Sequence, residues 1–189
     1  PDPEESMTTA DMIRHWGYTV ETHEAITDDG YILSLLRIPH GRRTRGFISP
    51  CRRSPILFIH GLSTHAAEFV INPPESSPGM ILAEAGFDVF LLSHRGTRYS
   101  QRHLNLTKDD PAFWKFTFDD FAKYDVPSAI DRVLKLNGAS SLFYIGHSQG
   151  TLIGFLMLAE KPEYNSKVRA LFQLAPIGTL KWGRGLSRF

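Results

Sequence analysis

The sequence predicts an α/β fold, a mostly parallel sheet with helices on both faces and an antiparallel hairpin on its N-terminal side. Three observations carry that expectation. Short apolar runs bounded by turn residues read as buried strands. Between them lie stretches whose apolar residues recur at helical spacing. Near the start, two β-prone runs flank Asp28-Asp29-Gly30, a hairpin turn signal.

Taken in order, Val20 to Ile26 and Tyr31 to Ile38 are the hairpin strands, followed by a Gly- and Arg-rich loop. Pro55 to His60 (PILFIH) is a short apolar run of the kind buried inside a parallel sheet. Pro78 to Ala85 reads as a helix stopped by Gly86, and Phe87 to Leu92 as the next strand. Residues 94 to 115 read as a long polar loop. From Phe118, apolar residues at 118, 121, 122, 126, 129, 130 and 133 mark a helix ending at Gly138, with Pro127 predicting a kink or restart. Leu142 to Ile145 is a buried strand, Thr151 to Ala159 an apolar helix, and Val168 to Leu174 a last strand.

Composition narrows the function classes. The 189 residues suffice for one domain with a substantial core. Lys plus Arg number 21 against 20 for Asp plus Glu, a balance that points to neither nucleic acid nor membrane as partner. Arg37, Arg42, Arg43, Arg45, Arg52 and Arg53 do cluster in a stretch without acids, either a solvated loop or an anion-attracting patch. The single cysteine, Cys51, permits no internal disulfide. The longest apolar stretch, Leu152 to Ala159, is far short of the roughly 20 residues of a transmembrane helix, so no membrane span is expected. The chain starts Pro1-Asp2-Pro3 without Met or signal segment, as a processed or truncated product would.

The chemistry concentrates at Gly146-His147-Ser148-Gln149-Gly150, a G-x-S-x-G pentapeptide between a predicted strand and a predicted helix. A sharp strand-to-helix turn there would expose the Ser148 hydroxyl and leave space only for small residues at Gly146 and Gly150, with His147 supporting the turn. The helix following it would aim N-terminal amides where a tetrahedral intermediate carries negative charge. Backbone N–H groups of Leu62, after the strand ending at His60-Gly61, and of Gln149 are the candidate oxyanion donors. His60 reads as a structural histidine beside the site. The run His94 to Ser100 follows a strand end and either lines the site or packs as an ordinary loop. In chain order Ser…Asp/Glu…His a triad needs a base after Ser148. The 41 residues that follow (189 − 148) hold no His and no Asp, and all eight histidines precede the serine. Asn105-Leu106-Thr107 is an N-glycosylation sequon in a polar loop.

Several segments together resemble the acid lipases of animals, the gastric and lysosomal lipase family of the α/β-hydrolase fold. Ile13 to Tyr18 (IRHWGY) and Thr27 to Pro39 look like that family's opening hairpin. Then come His60-Gly61-Leu62, Leu82 to Val89, Arg95-Gly96-Thr97, Phe113 to Phe116, Phe118 to Asp131, Gly146 to Thr151 (GHSQGT) and Leu174-Ala175-Pro176. The chain departs from the family at Ser93-His94 and at Ser63-Thr64-His65.

The resemblance implies hydrolysis of neutral lipid esters, triacylglycerols or sterol esters, through an acyl-enzyme on Ser148. It implies no metal or organic cofactor, transient contact with a lipid interface, and a secreted or lysosomal location. It implies that residues 1–175 form a partial α/β-hydrolase core and 176–189 begin a cap. The catalytic Asp and His, the C-terminal strands and most of the cap would lie beyond Phe189, so 189 residues alone would lack efficient activity. Two readings compete: a non-catalytic shortened paralogue that binds lipid or a protein partner, and another esterase or thioesterase of the same fold.

Overall fold

The computed structural model describes residues 3–44 and 52–179. Helix α1 (Thr9–His15) starts at a reciprocal cap in which Thr8 Oγ1 accepts from the Asp11 amide at 3.2 Å and Asp11 reaches back to the Thr8 amide. The sequence suggested no helix here and assigned Ile13 to Tyr18 to the opening hairpin. Ile13 is instead a fully buried helical residue, and Gly17 (φ 81°) turns the chain out of α1. The hairpin itself is β1 (Glu21–Ile26) and β2 (Tyr31–Ile38), antiparallel from Glu21 opposite Arg37 to Ile26 opposite Ile32. Gly30, at φ 98°, supplies the left-handed turn residue.

Strand β3 (Pro55–Ile59), helix α2 (Pro78–Glu84) and strand β4 (Asp88–Ser93) follow as expected. Every residue of β3 and β4 is buried, because both strands lie inside the sheet with apolar layers above and below. The predicted polar loop 94–115 contains β5 (Arg102–His103), two residues paired with β2, and a 3-10 turn over Pro111–Trp114. So short a strand leaves no periodic signal to read. The next helix is composite, as Pro127 required. A short α3 (Phe118–Asp120) runs into a π turn (Phe121–Asp125), and α4 (Val126–Asn137) restarts with Pro127 in its first turn. The π turn is the local adjustment before a residue that has no amide to donate: the Val126 amide reaches back five residues to the Phe121 carbonyl. Gly138 ends α4 at φ 79°. Strand β6 (Leu142–His147), helix α5 (Gln149–Glu160) and strand β7 (Val168–Leu174) complete the described elements.

The sheet order is β1-β2-β4-β3-β6-β7, with β5 beside β2. Strands β4, β3, β6 and β7 are mutually parallel, and β1, β2 and β5 pair antiparallel. Alternation along the strands splits the core in two. Leu57, Ile59, Phe90 and Leu92 face α4 and α5 through Val126, Ile130, Ile153 and Met157. Ile56, Phe58, Val89 and Leu91 face α1 and α2 through Ile13, Met80 and Ala83. From β3 the chain moves to β4 on one side; from β6 it moves to β7 on the other. The crevice outside the carboxyl ends of β3 and β6 is therefore the switch point where such sheets hold ligands. Among the described residues no helix is long and apolar enough to cross a membrane.

The arginine cluster is exposed at Arg42, Arg43 and Arg52, as a solvated stretch would be, yet several of its guanidiniums are paired. Arg37 lies on β2, its Nε and Nη2 on the Asp88 carboxylate at 2.8 and 2.9 Å. Arg42 and Arg43 converge on Glu84, and Arg52 donates to the Gly138 carbonyl. The acids come from distant sequence, so a local charge count could not find them. Arg45 and Cys51 lie outside the described residues.

Candidate active site

Strand β6 delivers the chain to Ser148, where the backbone takes φ 50°, ψ −114° before α5 begins at Gln149. A non-glycine residue in this region is strained by about 1–3 kcal/mol, and the surroundings must over-determine it. They do. The Ser148 amide donates to the Leu174 carbonyl at 3.0 Å, and its own carbonyl accepts from the Thr151 amide (3.0 Å) and hydroxyl (2.5 Å). Tyr144, fully buried one layer below, donates its hydroxyl to the Gly150 carbonyl at 2.7 Å. A Cβ on Gly150 would lie 2.3 Å from the Ile59 carbonyl oxygen, and one on Gly146 2.7 Å from that of Gly150. Backbone against backbone leaves nothing to move, so both positions require glycine.

The loop after β3 meets this turn. A Cβ on Gly61 would lie 3.3 Å from Ser148 Cβ and 3.3 Å from His147 Nδ1, so the Gly61 backbone runs directly past the serine. Ser148 is half-buried, and Leu62 and Gln149 line a cleft of about 400 Å³ next to it. Gln149 is the first residue of α5, and its amide has no intrahelical acceptor by position. The Leu62 side chain is exposed, as a backbone donor permits.

His60 is committed on both ring nitrogens. Its Nε2 accepts from the His94 amide at 3.1 Å, which places the proton on Nδ1, and Nδ1 donates to the Gly61 carbonyl at 2.8 Å. Burial first, and the neighbouring His94 second, hold its pKa well below the ordinary histidine value. It is a neutral structural histidine with no nitrogen left for Ser148. His147 Nδ1 lies against Glu68 Oε1, without hydrogen-bond geometry. Among the described residues no side chain hydrogen-bonds to the Ser148 hydroxyl.

The run after β4 both lines the cleft and packs. His94, Arg95, Gly96, Thr97 and Arg98 line it together with Trp114, Phe116 and Phe121. Arg95 is buried and receives acids that sequence reasoning did not single out. Asp125, on the π turn, accepts from the Arg95 amide (2.9 Å) and Nε (2.7 Å), while Asp29, from the hairpin turn, takes both terminal nitrogens (2.6 and 2.8 Å). The guanidinium also lies 3.9 Å from the centre of the Tyr31 ring. Burial works to raise the Asp29 carboxyl, but bonds from Arg95 and Thr27 outweigh it and hold the pKa below the usual range. His94 stacks on Phe121 at 4.8 Å, with Nδ1 3.7 Å from Asp125. Asn105 is exposed on the loop after β5.

Residues 54–186 match the family model described as alpha/beta hydrolase fold. The chain belongs to the α/β-hydrolase family. Within that family, residues 9–73 also match a partial alpha/beta-hydrolase lipase region. The chain is 43% identical to gastric triacylglycerol lipase of Bos taurus over 98% of its own length and 46% of the relative's. It is 40% identical to lipase member K of Mus musculus, over 97% and 46%. It thus spans about half the length of these curated relatives. Among solved structures, an alpha/beta hydrolase from Novosphingobium aromaticivorans superposes with TM-score 0.55 at 21% identity, covering 82% of this chain and 43% of that one. A putative epoxide hydrolase from Pseudomonas aeruginosa gives 0.52 at 20%, covering 83% and 41%. These two likenesses establish the fold alone.

Proposed function

We propose that the protein hydrolyses neutral lipid esters, triacylglycerols or sterol esters, through an acyl-enzyme on Ser148. The observation that carries this reading is the passage of Gly61 beside Ser148, with Leu62 and Gln149 both lining the adjoining cleft. In the proposed step the Ser148 oxygen adds to the ester carbonyl carbon and a base takes its proton. The two amides and the positive end of α5 stabilise the oxyanion. Collapse expels the alcohol, which recovers the proton, and water then releases the acid by the same route. The named relatives are lipases, which favours lipid esters over other acyl donors. Exposed Leu62 and Trp114 at the cleft mouth suit contact with a lipid surface.

In this reading the base lies outside the described residues, none of whose side chains hydrogen-bonds to the Ser148 hydroxyl. Residues 1–189 alone should therefore turn over esters on the order of 10⁶ more slowly than a complete triad. The Ile177 amide donates to Thr151 Oγ1 at 2.8 Å; residues 180–189, with Leu180, Trp182, Leu186 and Phe189, lie outside the described residues. The decisive experiment treats the full-length protein with a fluorophosphonate and maps the adduct. Labelling at Ser148, abolished in Ser148→Ala, supports the reading; a parent that resists the probe while still binding lipid favours the non-catalytic alternative. A panel of ester and thioester substrates then separates lipase from thioesterase. We also propose secretion or lysosomal delivery with a glycan on Asn105, read as a mobility shift after endoglycosidase treatment that Asn105→Gln removes.

A further inference from the structure

We propose that Glu68 is a positioning residue that clamps the two halves of the oxyanion site together, an assignment that rests on Ser148 being the nucleophile. Its Oε2 accepts from the Gly61 amide at 3.0 Å, and its Oε1 meets His147 Nδ1. Gly61 directly precedes Leu62, and His147 directly precedes Ser148. One carboxylate thus joins the loop after β3 to the last residue of β6.

The carboxylate comes from a third, independently anchored place. Glu68 sits in a 3-10 turn (Ala66–Phe69) whose other residues are buried and whose start is capped by His65 Nδ1, accepting from the Ala67 amide at 3.3 Å. The Glu68 side chain itself is only 18% exposed, so water competes weakly for its oxygens.

Glycine explains why a clamp is required. With no side chain, Gly61 restricts neither of its own dihedrals. Here both of its polar ends are held, the amide by Glu68 and the carbonyl by His60. The Gly61 carbonyl shares a planar trans peptide with the Leu62 amide, and the two point in opposite directions. The His60 bond fixes that plane and so aims the Leu62 N–H, while the Glu68 bond holds the peptide plane on the other side of Gly61; together they set both Gly61 dihedrals, and Glu68 ties them to the elbow. Catalysis is sensitive to such placement, since a misplacement near 1 Å reduces rates by about 10²-fold.

The test uses the full-length protein and three variants, with Ser148 labelling rate, ester kcat and KM, thermal unfolding, and the Gly61 amide resonance as readouts. Glu68→Ala should lower kcat by about 10- to 100-fold with KM within about threefold. Glu68→Asp, one methylene too short to span both partners, should also lower kcat. Glu68→Gln, whose amide oxygen still accepts from Gly61, should recover most of it. The Gly61 amide proton should shift upfield in Glu68→Ala only. Should Glu68→Ala fail to fold, the Asp and Gln variants decide the matter. Parental kcat in the Ala or Asp variant, or a Gly61 resonance that does not move, overturns the clamp while leaving Ser148 labelling intact. A parent that is never labelled at Ser148 overturns the nucleophile reading and the clamp with it.

Discussion

Tyr144 holds Gly150 from beneath the elbow, its buried hydroxyl 2.7 Å from the glycine carbonyl. Burial drives the phenol pKa well above its ordinary value, so the hydroxyl remains a donor throughout the working pH range. Tyr144→Phe keeps the ring and deletes the bond. We expect a loss of about 1 kcal/mol, a melting temperature about 2–4 °C lower by calorimetry, and a folded protein.

Gly150→Ala is expected to be far more damaging than this one-atom change. The new Cβ would stand 2.3 Å from the Ile59 carbonyl oxygen, so β3 and α5 would have to separate. A penalty of about 3 kcal/mol or more should leave the variant largely insoluble. Soluble expression with a parental urea midpoint would contradict the close approach.

The Arg95 network makes a contrasting prediction, because its carboxylates would survive the loss of their partner. Arg95→Ala leaves Asp125 buried and unpaired, a situation that costs about 3–5 kcal/mol. Arg95→Lys keeps the charge but cannot reach Asp29 and Asp125 with a planar fork, and should recover less than half of that loss by urea denaturation.

Stability should rise with pH across the weakly acidic range. His60 is held neutral in the fold, whereas the unfolded chain takes up a proton below about pH 6.5. Unfolding therefore binds protons, and stability falls as pH drops below that value, by up to about 1.4 kcal/mol per unit. Asp29, held below its ordinary value, adds stability that is full above about pH 4 and lost on further acidification. Urea midpoints from pH 7.5 to 5 check the first window. His60→Gln should flatten that slope, and an unchanged slope would remove His60 as its source.

The strands and the elbow were legible because their signals are local. PILFIH, LFYI and the hairpin turn each lie within ten residues, and β2 and β7 have the predicted bounds. Pro127 announced the restart of α4 by the same logic. What escaped were partnerships across the fold. Glu68 reaches His147 from 79 residues away (147 − 68), and Asp29 reaches Arg95 from 66. Glu68 belongs to no motif and Asp29 only to a turn signal, and each partnership becomes readable only when the fold brings these segments together. Helix α1 was hidden for a different reason: seven residues offer less than two full periods to detect.

The backbone at Ser148 sets two evolutionary pulls against each other. Glycine would occupy φ 50° without strain, so a drift from serine to glycine would make the fold more stable by about 1 kcal/mol while deleting the hydroxyl. A lineage that no longer needed the hydroxyl would find this change downhill. The position thus acts as a gauge of use: its side chain persists only where selection for chemistry outweighs selection for stability.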